Sequence, residues 1–153
     1  MGHPRIRRLV GLLLLAGTLA GTAAAQRPRI STVEGPGVGE KTTLSMFPHA
    51  AGAGISLRAI GVQGRDTTRW SLTIIGVREP TVTVRIEADG EVLTTEEVTN
   101  PSPRTGPHQV ALTKEEFLLL TNAETGRLRV NGTTVPLPEA LQLDMKAIFR
   151  KVV

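Results

Sequence analysis

The sequence predicts a mainly β domain, an antiparallel β-sandwich with one short helix and one C-terminal helix. Short segments alternate apolar and polar residues, turn dipeptides separate neighbouring segments, and the last third of the chain carries a strong helix start. Because most segments are expected to pair with their neighbours in sequence, the predicted sheets are antiparallel. An α+β fold is the alternative, if the helices cover one open sheet.

The first 25 residues have the three-part order of a secretory signal peptide. A basic start with three arginines precedes an apolar stretch from residue 9 to about 20, and small residues follow up to Ala25. The apolar stretch is shorter than the roughly 20 residues that a membrane-spanning helix needs. Cleavage near Ala25/Gln26 is therefore expected, with an uncleaved anchor as the alternative.

Export places the mature chain in the periplasm or outside the cell. The sequence contains no cysteine, so it has neither a lipid-attachment cysteine nor disulfides. We expect a soluble protein with no stable membrane span after cleavage. Oligomeric state is left open by the sequence.

The charge balance changes once the signal is removed. The whole chain has 18 basic and 14 acidic side chains, and Arg5, Arg7 and Arg8 belong to the signal. The mature domain therefore has 15 against 14, a net charge of +1. This near-neutral balance argues against a nucleic-acid partner, for which a basic patch is expected.

Residues 26–41 are rich in proline and glycine and lack apolar periodicity, which predicts a flexible leader or, alternatively, an irregular edge strand. Residues 42–153 suit a single β-rich domain with its own core. Predicted strands there occupy 42–47, 55–62 and 69–77, with a turn at 50–54.

The segment 69–77 places Trp70, Leu72 and Ile74 on one side of a strand, so Trp70 is expected in the core. Strands at 81–88 and 91–99 flank Asp89-Gly90, a dipeptide typical of a two-residue hairpin turn. A turn that short would place Ile86 opposite Leu93.

After a strand at 108–112, the run Thr113-Lys114-Glu115-Glu116 is a capping box that starts a short helix near 113–122. Asn131-Gly132 then joins strands 127–130 and 133–137, which places Leu128 opposite Val135.

The last segment, near 138–151, fits two periods. A strand would alternate its apolar residues, whereas a helix would align Leu141, Met145, Ile148 and Val152 on one stripe. We favour a helix because a proline precedes it and its acidic residues precede its basic ones.

From Trp70 to the end, the order of features resembles uncharacterised bacterial secreted or periplasmic domains. The resemblance is carried by Trp70, Asp89-Gly90, the run Leu112-Thr113-Lys114-Glu115-Glu116-Phe117, Ala123, residues 127–132 and Val135-Pro136-Leu137-Pro138. It implies an envelope location and a β-sandwich-like fold, and it assigns no catalytic residue.

Histidine is the first candidate for chemistry, and the mature chain has only His49 and His108. They lack the spacing of a metal motif, although the fold could bring them together with Asp66 or Asp89 to form a metal site. No Gly-x-Ser-x-Gly motif is present, and the candidate serines fall inside predicted strands, where they are interpreted as polar-face residues: Ser45, Ser56 and Ser71.

Other sites are also disfavoured. Glu96 and Glu97 point to opposite faces of a strand, Glu115 and Glu116 fit a helix cap, and the glycines of 35–39 lack a phosphate-binding context. The sequence therefore assigns no catalytic, cofactor-binding or metal-ligating residue.

The leading hypothesis from these features is a non-enzymatic binding or structural module of the bacterial cell envelope. Its partner would be another exported protein, met through a sheet edge or a loop surface. Two alternatives remain open: a small secreted hydrolase or metal-dependent enzyme that uses His49 or His108, and a β-domain that carries a lipid.

Overall fold

The computed structural model describes residues 26–35, 37–102 and 106–153. The predicted signal peptide, 1–25, lies outside the described residues. In chain order the elements are β1 Ile30–Glu34, β2 Lys41–Ser45, β3 His49–Gly52, β4 Ile55–Gln63, β5 Thr68–Ile75, β6 Thr81–Ala88, β7 Glu91–Thr99, β8 His108–Leu112, α1 Lys114–Asn122, β9 Gly126–Val130, β10 Thr133–Pro136 and α2 Glu139–Val152.

The strands form two antiparallel sheets. In sheet A the order is β1-β2-β4-β5-β8, and β3 also pairs with β4; in sheet B it is β10-β9-β6-β7. The predicted mainly β class and both predicted helices are thereby confirmed.

The helix α2 packs across β2 and β4 and covers one face of sheet A. Its predicted apolar stripe is buried, which confirms the helix over the alternative strand: Leu141, Met145, Ile148 and Val152. Gly61 in β4 makes this approach possible, since a Cβ added there would lie 2.8 Å from Cγ2 of Ile148.

Trp70 belongs to the core, as its strand pattern predicts. Its ring lies 4.7 Å from the Phe117 ring of α1 and 5.2 Å from the Phe149 ring of α2, measured between centroids. Three of the four aromatic residues of the chain therefore join both helices to β5.

Both predicted hairpin turns are confirmed, and both share the same backbone conformation and the same pattern of hydrogen bonds. Asp89 and Asn131 have φ angles of 51° and 52°, the left-handed conformation that these turns require. Asp89 exchanges two hydrogen bonds with the backbone of Thr125, one through its own N–H and one through Oδ1. Asn131 does the same with Thr83.

The predicted pair of Leu128 and Val135 is confirmed. The predicted pair of Ile86 and Leu93 is wrong, because β7 contains an irregularity and Ile86 pairs with Thr94. The one-residue shift has a physical reason. It places Val98, which packs against the core, opposite Val82, where the unshifted register would place Glu97.

Two short strands of sheet A lie where the sequence favoured a flexible leader or a turn. Within 26–41, β1 pairs with β2 from Ile30↔Ser45 to Glu34↔Lys41, so this part is the edge strand that the sequence predicted as the alternative to a flexible leader. β3 occupies part of the predicted turn at 50–54, and the turn itself is reduced to Ala53 and Gly54, both with positive φ.

Candidate functional site

A pocket of about 630 Å³ lies where three segments of the chain meet. The segments are the residues that lead into β1, the connection between β2 and β3 with the start of β3, and the first turns of α2. Its wall is formed by Gln26, Arg27, Arg29, Phe47, His49, Ala140 and Asp144.

Asp144 is the buried charged residue of this pocket, with 1% of its surface exposed. Its Oδ1 accepts a hydrogen bond from the backbone N–H of Arg29 at 2.8 Å. Its Oδ2 lies 2.6 Å from Nε2 of His49. Both carboxylate oxygens are thus satisfied, which is the usual condition for burying an acidic side chain.

His49 begins β3 and pairs with Leu57, so its side chain lies on the face of sheet A that α2 covers. Its side chain is 20% exposed. An ionised Asp144 can only accept, so Nε2 then carries a proton. Within the described part of the chain Nδ1 makes no hydrogen bond with another residue, and this nitrogen is available to a ligand.

A histidine that is hydrogen-bonded to a buried aspartate supplies two of the three residues of a catalytic triad, and the third residue is the nucleophile. Ser45 lies in β2 near this face, but it is fully buried and its Oγ accepts from the backbone N–H of Ala59 at 3.2 Å. No hydrogen bond joins Ser45 to His49 among residues 26–35, 37–102 and 106–153. The other candidate serine that is buried, Ser71, bonds to Gln109.

His108 has a structural position away from this pocket. It pairs with Ile74 in sheet A, is 1% exposed, and its Nε2 donates to the carbonyl of Pro80 across 3.2 Å. The fold therefore does not bring the two histidines together. In the described ranges, no group of three or more histidine and acidic side chains could hold a metal ion.

The acidic residues singled out in the sequence have local roles or lie apart. Glu116 closes the predicted capping box with Thr113, with bonds of 2.8 and 3.1 Å. Glu96 and Glu97 are both exposed on β7. Asp89 belongs to its hairpin turn.

The accessible charge on the pocket wall is positive. Arg27 and Arg29 are exposed, and neither takes part in an ion pair between described residues. Phe47 adds an apolar surface that is 54% exposed. The wall thus combines two guanidinium groups, one imidazole nitrogen and one aromatic ring.

Sequence reasoning missed Asp144, which it used only as an acid preceding basic residues in the helix. One signal was present: Asp144 lies three residues after Leu141 and four before Ile148, on the apolar stripe itself. An acid at such a position requires a buried partner.

None of the helices in the described part of the chain is long and apolar enough to cross a membrane. Comparison of the chain with family models, with curated proteins and with solved structures finds no match.

Proposed function

We propose that the protein is an exported, non-enzymatic binding module of the bacterial cell envelope. It takes up an extended segment of another exported protein along the open edge of β1. The observation that carries this proposal is the position of β1 as the outermost strand of sheet A, paired on one side only in the described residues.

The backbone bonds identify which groups of β1 are open. Just beyond the two ends of the strand, Gly35 N–H donates to Glu40, and the Arg29 carbonyl accepts from Met46. Because bonded positions alternate in an antiparallel ladder, residues 31 and 33 bond to β2. The N–H and C=O groups of residues 32 and 34 then point away from the sheet and can receive a further strand.

The surroundings of this edge favour an extended partner. Val33 is 52% exposed and offers an apolar contact next to the open backbone groups. Glu34 is also exposed, and the Arg27 and Arg29 side chains lie just before the strand. An added strand would gain main-chain hydrogen bonds along β1 and side-chain contacts at its two ends.

Export is the second part of the proposal. It rests on the basic, apolar and small-residue order of residues 1–25 and on the resemblance to secreted or periplasmic domains. Mass spectrometry of the protein from its native host tests it. The proposal expects a chain that begins at Gln26, and an intact Met1 terminus would contradict it.

A photo-crosslinking amino acid at Val33, expressed in the native host, tests the edge. The crosslinker is placed in three forms of the protein: the parent, Thr32→Pro and Thr32→Val. Thr32→Pro removes the outward N–H and is compatible with an edge strand, whereas Thr32→Val keeps this N–H and removes only the hydroxyl bond to Thr43. The expected product is a crosslink to an exported protein in the parent and Thr32→Val forms, at least tenfold weaker with Thr32→Pro.

The near-ultraviolet circular dichroism of Trp70 verifies that each variant is folded. If Thr32→Pro does not fold, Glu34→Pro is the second variant that removes an outward N–H from the edge. Equal crosslinking in folded proline and valine forms would contradict binding through the β1 backbone. The same product from a crosslinker at Arg129, on sheet B, would show contact without edge specificity and would also contradict it.

A small secreted hydrolase is the second candidate, favoured by the bond between His49 and Asp144 beside a pocket. It would use Nδ1 of His49 to activate water. A screen with ester, amide and phosphoester substrates tests it, with His49→Ala as the inactive form and His108→Ala as the matched control. Activity that His49→Ala leaves unchanged would remove this candidate, as would no activity in the parent protein.

A further inference from the structure

We infer that the pocket around His49 binds a small organic anion, a molecule with a carboxylate or phosphate group attached to an apolar or aromatic part. This site is separate from the edge contact proposed for β1, because it uses side chains of the pocket wall and needs no added strand. Its failure and the failure of the edge proposal are therefore measured independently.

The charge of the wall carries the inference. Asp144 is the acidic residue of the pocket, and its carboxylate is 2% exposed and committed to His49 and to the Arg29 backbone. The side chains of Arg27 and Arg29 are left without an acidic partner among the described residues. An anionic group entering the pocket thus meets exposed guanidinium groups, while the nearby carboxylate is buried and both of its oxygens already accept hydrogen bonds.

The geometry gives the anion a fixed partner as well as mobile ones. Arginine side chains at the surface adapt to a ligand, but the His49 ring is held in place by its 2.6 Å bond to Asp144. Nδ1 is an acceptor in the neutral ring and a donor in the protonated ring. The ring therefore lies between Asp144 on its Nε2 side and the pocket space on its Nδ1 side.

The first turn of α2 adds to the same preference. Ala140 contributes to the wall, and no side chain caps this helix end, because Pro138 precedes it. The N–H groups at a helix start favour negative charge. Glu139 in the same turn offsets part of this field, so the arginines carry the inference.

The exposed Phe47 ring selects for more than charge. It stands in the wall with over half of its surface exposed, next to the arginines. An aromatic or aliphatic part of the ligand would cover this ring and bury apolar surface on both sides. A volume of about 630 Å³ suits a small molecule rather than a bare inorganic ion.

The test is a titration of ¹⁵N-labelled protein, produced from the full chain, with benzoate, phenyl phosphate and neutral benzamide at about 0.15 M ionic strength. We expect saturable amide shifts with benzoate or phenyl phosphate, confined to Arg27, Arg29, Phe47, His49 and residues 139–144. Comparing these two probes shows whether the site takes a carboxylate or a phosphate. Benzamide has the same ring without the charge and is expected to give no saturable shift.

A double variant, Arg27→Gln with Arg29→Gln, is expected to raise the Kd at least tenfold. Arg65→Gln with Arg129→Gln makes the same change in net charge at exposed arginines outside the pocket, and it should bind as the parent does. The variants replace exposed side chains, and their spectra verify that the fold is kept.

Three results would each overturn the inference. The first is no saturable shift with either anion up to about 10 mM, well above the millimolar Kd of a weak specific site. The second is benzamide binding as tightly as benzoate. The third is equal binding by both double variants, which would make the effect a property of net charge.

Discussion

The His49 ring and the Asp144 carboxylate are joined by a 2.6 Å hydrogen bond between residues 95 positions apart. The second oxygen of Asp144 binds the backbone of Arg29. One buried side chain of α2 therefore fixes the start of β3 and the approach to β1. The same bond orients the ring of His49, which lines the pocket.

Replacing Asp144 with Ala should lower the free energy of unfolding by about 1–3 kcal/mol, because the Arg29 N–H and His49 Nε2 lose their acceptors. Urea denaturation measures the loss. Asp66→Ala is the control, since Asp66 is exposed. Equal stabilities of the two variants would contradict a structural role for the buried carboxylate.

Gly61→Ala should destabilise the protein by about 1–3 kcal/mol through overcrowding under α2. The added Cβ would lie 2.8 Å from Cγ2 of Ile148 and 3.3 Å from the Trp70 ring. Gly106→Ala is the matched control, because its nearest neighbour would be at 3.8 Å. Thermal unfolding measures the change in Tm of both variants relative to the parent. An unchanged Tm for Gly61→Ala would argue against close contact of α2 with β4.

The two hairpin turns should respond alike to loss of their side-chain acceptors. Asn131→Ala and Asp89→Ala are each expected to cost about 1–2 kcal/mol, from the lost bond and the positive φ angle. Asp89→Asn keeps both features and should stay within about 0.5 kcal/mol of the parent. If Asp89→Asn proved as unstable as Asp89→Ala in urea, the reciprocal bonding with Thr125 would not account for the turn's stability.

Thr113→Ala should cost about 1 kcal/mol, because it removes the side-chain acceptor for the Glu116 N–H at the start of α1. Thr113→Ser keeps the oxygen and should retain most of this stability. Chemical denaturation of the two forms provides the comparison, and equal destabilisation would indicate that the methyl group, rather than the cap, matters.

Local signals in the sequence predicted most of the fold. Asp89-Gly90 and Asn131-Gly132 determine turn conformation within a few residues, and the alternation around Trp70 marks one buried face. Register beyond a turn is not a local property, however. The shift that pairs Ile86 with Thr94 follows from burying Val98 farther along the strand.

The candidate site was less accessible to sequence reasoning because it is built from distant residues. Asp144 meets the Arg29 backbone across 115 positions, a contact that no spacing rule encodes. The short strand β3 consists largely of alanine and glycine and has no alternating pattern, so the sequence predicted no strand at His49. The apolar stripe of α2 was the one pattern that contained the missing acid.

Amide hydrogen exchange along β1 tests the central claim, an open edge that accepts a partner strand. In the isolated protein, the N–H groups of Thr32 and Glu34 should exchange fast and those of Ser31 and Val33 slowly. Adding unlabelled envelope extract from the native host should protect Thr32 and Glu34, while exposed Glu97 on β7 stays unchanged. Slow exchange of Thr32 and Glu34 in the isolated protein, or no added protection in the extract, would contradict the account.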